Sequence, residues 1–490
     1  KKKKKKKKKI TKKKKKMVKK SEERKQMENS LWRFGRLIST LLWCSFIVPA
    51  CYMAYNIRLY AINTYGRVIH EFDPWFNMRA TRYLRDNGWQ KFFHWFDYKV
   101  WYPLGRPVGT TIYPGMQIAS VSLWNILKYF SPEGQEMSLN DVCVFVPVWF
   151  GVVATIFLGL LTTECTGSYS AGIVGASIMA IIPAHIMRSV GGGYDNESVA
   201  MTAMMMTFYF WVRSLRNDKN IKNGEATRDS YIYGTLCGFA YIFMVATWGG
   251  FIFVLNLIAA HAVALVLMGR YSSKLHRAYS LFYIIGTIGA THVPVVGWGP
   301  LKSMEQLSGL AVFCAYQILE YCEIQRRKKN LNVLELTMLR VKVTIPIFGF
   351  LALIVAVLLP TGYFGPLTAR IRGLFVKHTR TGNPLVDSVA EHQPASEAAY
   401  GHYLNVIYKI APYGLIMCVF NFTDANLFLV SYAFIAYYFS SKMSRLIILL
   451  GPVGSALAGN AIGLILDQCF VYSSQNLMKF LICNGDDDDD

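Results

Sequence analysis

Three acidic stretches stand out in a chain that otherwise carries little charge. They are His70-Glu71-Phe72-Asp73-Pro74-Trp75-Phe76-Asn77, Arg188-Ser189-Val190-Gly191-Gly192-Gly193-Tyr194-Asp195-Asn196-Glu197 and Ser388-Val389-Ala390-Glu391-His392-Gln393-Pro394. Asp195 and Glu197 sit two residues apart beside a glycine run. Oxygen ligands at that spacing can both face one ion, and glycine lets the backbone come close. Asp73 would complete such a set, and an all-oxygen set makes Mg²⁺ or Mn²⁺ the expected cation. Each piece has a plainer alternative. A lone acid in a loop is usually solvated, and Asp-x-Glu pairs are common, so the metal reading depends on all three motifs sharing one face. Arg445 follows Lys442-Met443-Ser444 between two apolar runs. Its planar fork matches phosphate oxygens, but an arginine at a span end can also simply snorkel to the interface. His261 and His292 lie in apolar runs and read as packed rather than catalytic.

What must hold these residues is a membrane. The 490 residues are 53% hydrophobic and 17% charged, with mean hydropathy +0.26, which excludes a disordered chain and an ordinary soluble enzyme. Apolar runs, free of Asp, Glu, Lys and Arg except for Lys409, recur at 37–57, 142–163, 166–187, 199–212, 231–247, 250–269, 278–297, 306–319, 343–360, 405–420, 426–441 and 446–466. Lipid-facing backbone must satisfy its own hydrogen bonds, so these are expected to be helices, about twelve spans in all. The run 110–127 contains Pro114, Gly115, Gln117 and Asn125 and reads as interfacial or re-entrant. If it crossed, Asp73 and Asp195 would fall on opposite sides and no shared metal site could form.

The net charge of +23 is concentrated at one end: +16 within residues 1–25, against −5 in the terminal Asp486–Asp490. A basic tail ahead of apolar runs points to a cytoplasmic membrane surface rather than nucleic acid. With residues 1–36 as a cytoplasmic tail, the loops 213–230, 270–277 and 323–342 should also be cytoplasmic, and they are basic, as the positive-inside bias requires. The long loops 58–141 and 361–404 then lie on the far side with all three acidic motifs. The second carries Arg370, Arg372, Lys377 and Arg380, which would suit an anionic substrate. The ten cysteines form no CxxC pair, which removes zinc-ribbon and thioredoxin readings.

The motifs together resemble the catalytic subunit of oligosaccharyltransferase, the enzyme of asparagine-linked glycosylation. Glu71–Asn77 resembles the family's first acidic motif, Gly193–Glu197 its second, and Ser388–Pro394 its external-loop glutamate motif. Trp101-Tyr102-Pro103-Leu104-Gly105 and Thr247-Trp248-Gly249-Gly250 also match, and Phe375–Pro384 is most similar to the kinetoplastid, single-subunit forms. The likeness runs from about residue 50 to about residue 466.

The resemblance implies an all-α polytopic protein of the C-type glycosyltransferase membrane fold, with residues 37–466 as its catalytic membrane domain. It implies that Asp73, Asp195 and Glu197 hold the divalent cation. Asp73 and Glu391 would engage the carboxamide nitrogen of the acceptor asparagine, with Arg188 beside the metal site and Arg445 on the pyrophosphate of a dolichyl-type donor. The implied reaction is inverting transfer of oligosaccharide to Asn-x-Ser/Thr. The implied partners are the lipid-linked oligosaccharide, an acceptor polypeptide, membrane lipid and other oligosaccharyltransferase subunits, and the implied place is the endoplasmic reticulum membrane with a lumenal site. Family members continue into a lumenal domain bearing Trp-Trp-Asp. Residues 467–490 contain none, so acceptor recognition is expected to lie outside this sequence. The competing readings are another lipid-linked-sugar transferase of the same fold, and a transporter or flippase. The latter should show internal repeats, and no convincing one is present.

Overall fold

The computed structural model describes residues 41–483 apart from 42, 133, 217–224, 226 and 365–388. It divides into two units, 1–49 and 50–490. In the first, the described residues are helical. In the second, residues 50–58 are helical and a one-and-a-half-turn helix follows at Tyr60–Tyr65. The main helices after it are α1 (Phe72–Phe93), α2 (Gly115–Phe130), α3 (Leu139–Thr166), α4 (Tyr169–Ile181), α5 (Asn196–Ser214), α6 (Arg228–Thr247), α7 (Phe251–Leu267), α8 (Ser273–Thr291), α9 (Leu307–Lys329), α10 (Val333–Leu358), α11 (Ile407–Phe420), α12 (Asp424–Lys442) and α13 (Ile447–Cys483). Among the described residues there is no strand, only an isolated antiparallel bridge between Asp97 and Arg106.

The described part of every expected apolar run is mainly helical, with breaks at 167–168 and 182 and a turn in place of helix over 292–297. Among the described residues, five helical stretches are long and apolar enough to cross a membrane by themselves: α3, α6, α9, Val333–Thr361 and Ser444–Cys469. A sixth arises if Glu397–Leu404 and α11, bent by 86° at their junction, count as one. α4 and α7 are apolar but shorter. Several helices overrun their apolar runs, and α13 runs past Asp467 to Cys483. α9 continues through Arg326–Lys329, and α10 starts at Val333, ahead of Arg340 and Lys342. Charge ends an apolar stretch without ending a helix, because Arg and Lys are good helix formers.

Local sequence explains the ends. Ser138, Thr227, Ser272 and Thr423 each accept a hydrogen bond from a first-turn backbone N–H of α3, α6, α8 and α12, and Asn332 forms a full capping box with Glu335 at α10. Gly167 and Asn330 close α3 and α9 in the left-handed conformation. The core is built by α3, α4, α5, α6, α8 and α13. α13 packs along α4 so closely that a Cβ on Gly459 or Gly463 would collide with the backbone of Gly175 or Ala171. Small residues four apart on both helices permit that approach. The Ser444–Cys469 stretch is almost wholly enclosed, whereas no residue in the apolar stretch of α10 is buried by the rest of the chain. An all-apolar helix without protein cover is suited to lipid.

The basic tail, the Asp tail, the match at Phe375–Pro384 and Arg370, Arg372, Lys377 and Arg380 lie outside the described residues.

Candidate active site

Asp73 lies in the first turn of α1, and Asp195 is the N-cap of α5. They are brought to one end of the molecule by amide and hydroxyl contacts. Asn77, one turn after Asp73, donates from Nδ2 to the Tyr194 carbonyl at 3.1 Å, and Gln117 Nε2 donates to Asn77 Oδ1 at 3.2 Å. The buried Tyr194 hydroxyl donates to Ser120 at 2.6 Å and lies 2.9 Å from Thr81 Oγ1. The first and second acidic motifs are therefore adjacent, and the arrangement that would have separated them does not occur. α2, which covers most of the ambiguous 110–127 run, has 16 residues and is short for a crossing.

The glycine run is required by close approach. The Gly191 N–H donates to the Arg58 carbonyl at 2.9 Å and the Gly192 N–H to Val144 at 3.0 Å, while the His70 N–H donates to the Gly192 carbonyl at 3.2 Å. Gly192 has φ +87°, and a Cβ there would strike the Val68 carbonyl and the His70 ring. At the start of α1 the backbone is strained. Glu71 sits at φ 71°, ψ 175°, a region that glycine alone enters freely.

The second motif meets the third through arginines. Glu197 is buried in the first turn of α5. Its Oε1 accepts from Arg445 Nε at 3.0 Å and Nη2 at 2.5 Å, and its Oε2 lies 3.1 Å from Arg188 Nε. Arg188 Nη2 in turn donates to Glu391 Oε1 at 2.7 Å. The Glu391 segment is docked on the Arg445 segment: the Ser444 N–H donates to the Gln393 carbonyl at 2.9 Å and its hydroxyl to the Glu391 carbonyl at 3.1 Å. Arg188, Glu391, Ser444 and Arg445, with Ala184, Met187, Tyr403, Ile447 and Ile448, line one small cavity of about 20 Å³.

The electrostatics follow from this geometry. Burial, then the carboxylate of Glu197 and that of Asp73, push the Asp195 carboxyl up to about 6, although the Asn196 N–H opposes the shift. Burial works against the charge on Arg188, but the carboxylates of Glu197 and Glu391 outweigh it and hold its guanidinium above its ordinary range. Arg106, stacked over Phe76 and Trp101, is lowered by burial and partly restored by Asp73.

The fit to a divalent cation is one of donor chemistry. Glu197 Oε2 is buried and has no hydrogen bond, since its contact with Arg188 lacks the geometry of one. Asp195 is an acid made reluctant to ionise by burial and then by other acids, a condition that a cation would relieve. Among the described residues, however, no three acidic, histidine or cysteine side chains converge closely enough to enclose an ion.

Residues 41–457 match the family described as oligosaccharyl transferase STT3, N-terminal. The chain belongs to that family. All six site residues named from the sequence lie within the matched range. Among the STT3 relatives is the dolichyl-diphosphooligosaccharide–protein glycosyltransferase subunit STT3 of Saccharomyces cerevisiae, 34% identical over 88% of this chain and 58% of its own. The corresponding subunit of Caenorhabditis elegans is 36% identical over 86% of this chain and 54% of its own. The chain thus spans little more than half the length of these curated relatives. The apo crystal structure of the Archaeoglobus fulgidus oligosaccharyltransferase superposes with a TM-score of 0.67 at 17% identity, covering 89% of this chain and 52% of that one. An archaeal oligosaccharyltransferase of the same organism, complexed with an inhibitory peptide and a dolichol-phosphate, gives 0.64 at 17% identity over 89% and 52%. These two show that the STT3 membrane fold is shared.

Sequence reasoning missed Arg58, Asn77, Gln117 and Tyr194 as parts of the site's support. One signal was available. Arg58 is a lone charge directly after a charge-free run, the same signature that singled out Arg445. Of the matching Thr247–Gly250 stretch, Thr247 ends α6 and Trp248–Gly250 turn into α7, and the stretch lies against the start of α2, where a Cβ on Gly115 would meet the Thr247 hydroxyl. His261 is packed, accepting from Trp211 at 3.0 Å, whereas His292 caps its own helix from an exposed position.

Proposed function

We propose that this chain provides the membrane-embedded catalytic site for transfer of an oligosaccharide from a dolichyl-pyrophosphate-type lipid to the asparagine of Asn-x-Ser/Thr acceptors. STT3 membership supports the reaction class. The single observation that carries the site is the chain of contacts Glu391–Arg188–Glu197–Arg445, which unites two acidic motifs and a phosphate-type arginine on one cavity.

An amide nitrogen is a poor nucleophile because its lone pair is conjugated with the carbonyl. Carboxylates that take its N–H hydrogen bonds favour the twisted, nucleophilic form and can receive the proton released on attack. Asp73 and Glu391 are assigned that role, and the ion pair with Arg188 would aim Glu391. The nitrogen attacks the anomeric carbon as the bond to the diphosphate oxygen breaks on the opposite face, which inverts the centre. Arg445 would receive the diphosphate, whose charge grows as it leaves. Asp73, Asp195 and Glu197 would hold Mn²⁺ or Mg²⁺, a Lewis acid that stabilises the same charge. The setting is the endoplasmic reticulum membrane, with the N-terminus cytoplasmic and the site lumenal, alongside other subunits of the complex.

The test is glycopeptide formation by membranes containing the protein, given lipid-linked oligosaccharide and an Asn-x-Thr peptide. Product should form with Mn²⁺, stop on chelation and return when the ion is restored. Product formed at full rate in excess chelator would remove the metal from the scheme. Modification of a lipid-borne sugar in place of the peptide would favour the other transferase class.

A further inference from the structure

Arg58 is wholly buried, and no acidic side chain pairs with it among the described residues. Uncompensated buried charge is expensive, so its surroundings must be built for it. Four of its five N–H groups find an acceptor. Nη1 donates to the carbonyl oxygens of Ala54 at 2.8 Å and Ala180 at 2.9 Å, Nε donates to Ser189 Oγ at 2.8 Å, and Nη2 lies 2.7 Å from His185 Nδ1. Ala180 is in the last turn of α4, where helix carbonyls are free and the dipole is negative. Since arginine can only donate, His185 Nδ1 is the acceptor in that contact. A Cβ on Gly151 of α3 would strike Arg58 Nε, so the guanidinium slot exists because that residue is glycine.

We propose that Arg58 is a positioning residue for the catalytic arginine, resting on the transferase reading above. Its guanidinium grips Ala180, His185 and Ser189, and its own carbonyl receives the Gly191 N–H at 2.9 Å. One residue therefore fixes both flanks of Arg188, the side chain that joins Glu197 to Glu391. Three acceptor directions must be met at once, which a planar fork can do and a lysine ammonium cannot. If Arg58 is loosened, Arg188 and the carboxylate it aims move, while the Arg445 end of the cavity stays on its own support, the α12–α13 junction.

The experiment compares the full protein with Arg58→Lys, Arg188→Lys and the double variant. A misplacement of about 1 Å costs on the order of 100-fold in rate, so Arg58→Lys should lower kcat by about that factor with the KM for lipid-linked donor little changed. Because Arg58 acts through Arg188, the double variant should be no slower than Arg188→Lys alone. Multiplicative losses, or an unchanged kcat in folded Arg58→Lys, would overturn the proposal. If Arg58→Lys does not fold, Ser189→Ala removes one acceptor only. It should lower kcat in the same direction, and full kcat there overturns the proposal. Hydrogen exchange gives a readout independent of activity. Amides 186–193 should exchange faster in Arg58→Lys or Ser189→Ala, with α5 and α6 unchanged. Faster exchange in a protein whose wild type transfers nothing would sink the functional reading and leave Arg58's grip standing. Unchanged exchange would sink the grip itself.

Discussion

At the scale of single residues, Glu197 is the most buried acid among the described residues. It is buried in the first turn of α5 and bears two arginines. Removing one partner from a buried ion pair leaves charge uncompensated and costs about 3 kcal/mol or more. Glu197→Gln should therefore lower the unfolding temperature in detergent as well as the transfer rate, whereas Glu391→Gln, at a more exposed carboxylate, should lower the rate with little effect on melting. Equal melting losses in both would show that Glu197 is not the keystone of the network. Glu71 makes a second case. A non-glycine residue at its dihedrals stores about 1–3 kcal/mol. Glu71→Gly should raise the melting temperature and Glu71→Val should lower it, and the same order in neither thermal scan would refute the strain.

At the scale of elements, the crossing of α4 on α13 and the bare surface of α10 call for opposite behaviour. Gly459→Leu would force those two helices apart, and overpacking of this kind costs about 1–3 kcal/mol. It should melt well below wild type. On α10, Phe350 is exposed, and replacing it by leucine should leave melting unchanged, whereas Phe350→Lys should impair membrane insertion by about 2.5–3.5 kcal/mol. Normal insertion of the lysine variant would mean that α10 does not face lipid. These elements were largely legible in the sequence because apolar runs without charge have few alternatives to a helix. The ends of α9 and α10 were not, because Arg326–Lys329 and Glu335 break the hydropathy pattern while the backbone ladder continues through them. The 86° bend before α11 had no signal, since Asn405 and Val406 are ordinary residues for a continuing loop or a helix start.

At the scale of the whole molecule, the distinguishing feature is that residues far apart in the chain meet at one end. Arg188 reaches Glu391 across 203 positions, and Arg445 reaches Glu197 across 248. The composition of each motif was readable, since acids and a lone arginine beside apolar runs are costly and stand out. Their pairing was not, because ion pairs over such separations leave no local pattern. Arg58 escaped for the same reason: its acceptors are backbone carbonyls, a serine and a histidine, with no acid to flag it. One face for all three motifs also makes the proposed topology testable. Cysteines introduced at Tyr98 and Glu397 should react with an impermeant thiol reagent only from the lumenal side, and one at Lys328 only from the cytoplasmic side. Labelling of Tyr98→Cys and Glu397→Cys from opposite sides would break the single-site account.

The central claim is that Asp73, Asp195, Glu197 and Glu391, with Arg188 and Arg445, form one centre that joins a lipid-borne oligosaccharide to asparagine. The most direct measurement is the rate of glycopeptide formation, read by mass spectrometry, for the wild-type protein and for Asp195→Ala in the presence of Mn²⁺. Loss of a preorganised charge-stabilising group lowers a rate by about 100- to 1,000-fold. The account predicts a fall of that size in a variant that still folds. An Asp195→Ala protein that transfers glycan to the Asn-x-Thr peptide at the wild-type rate would contradict it.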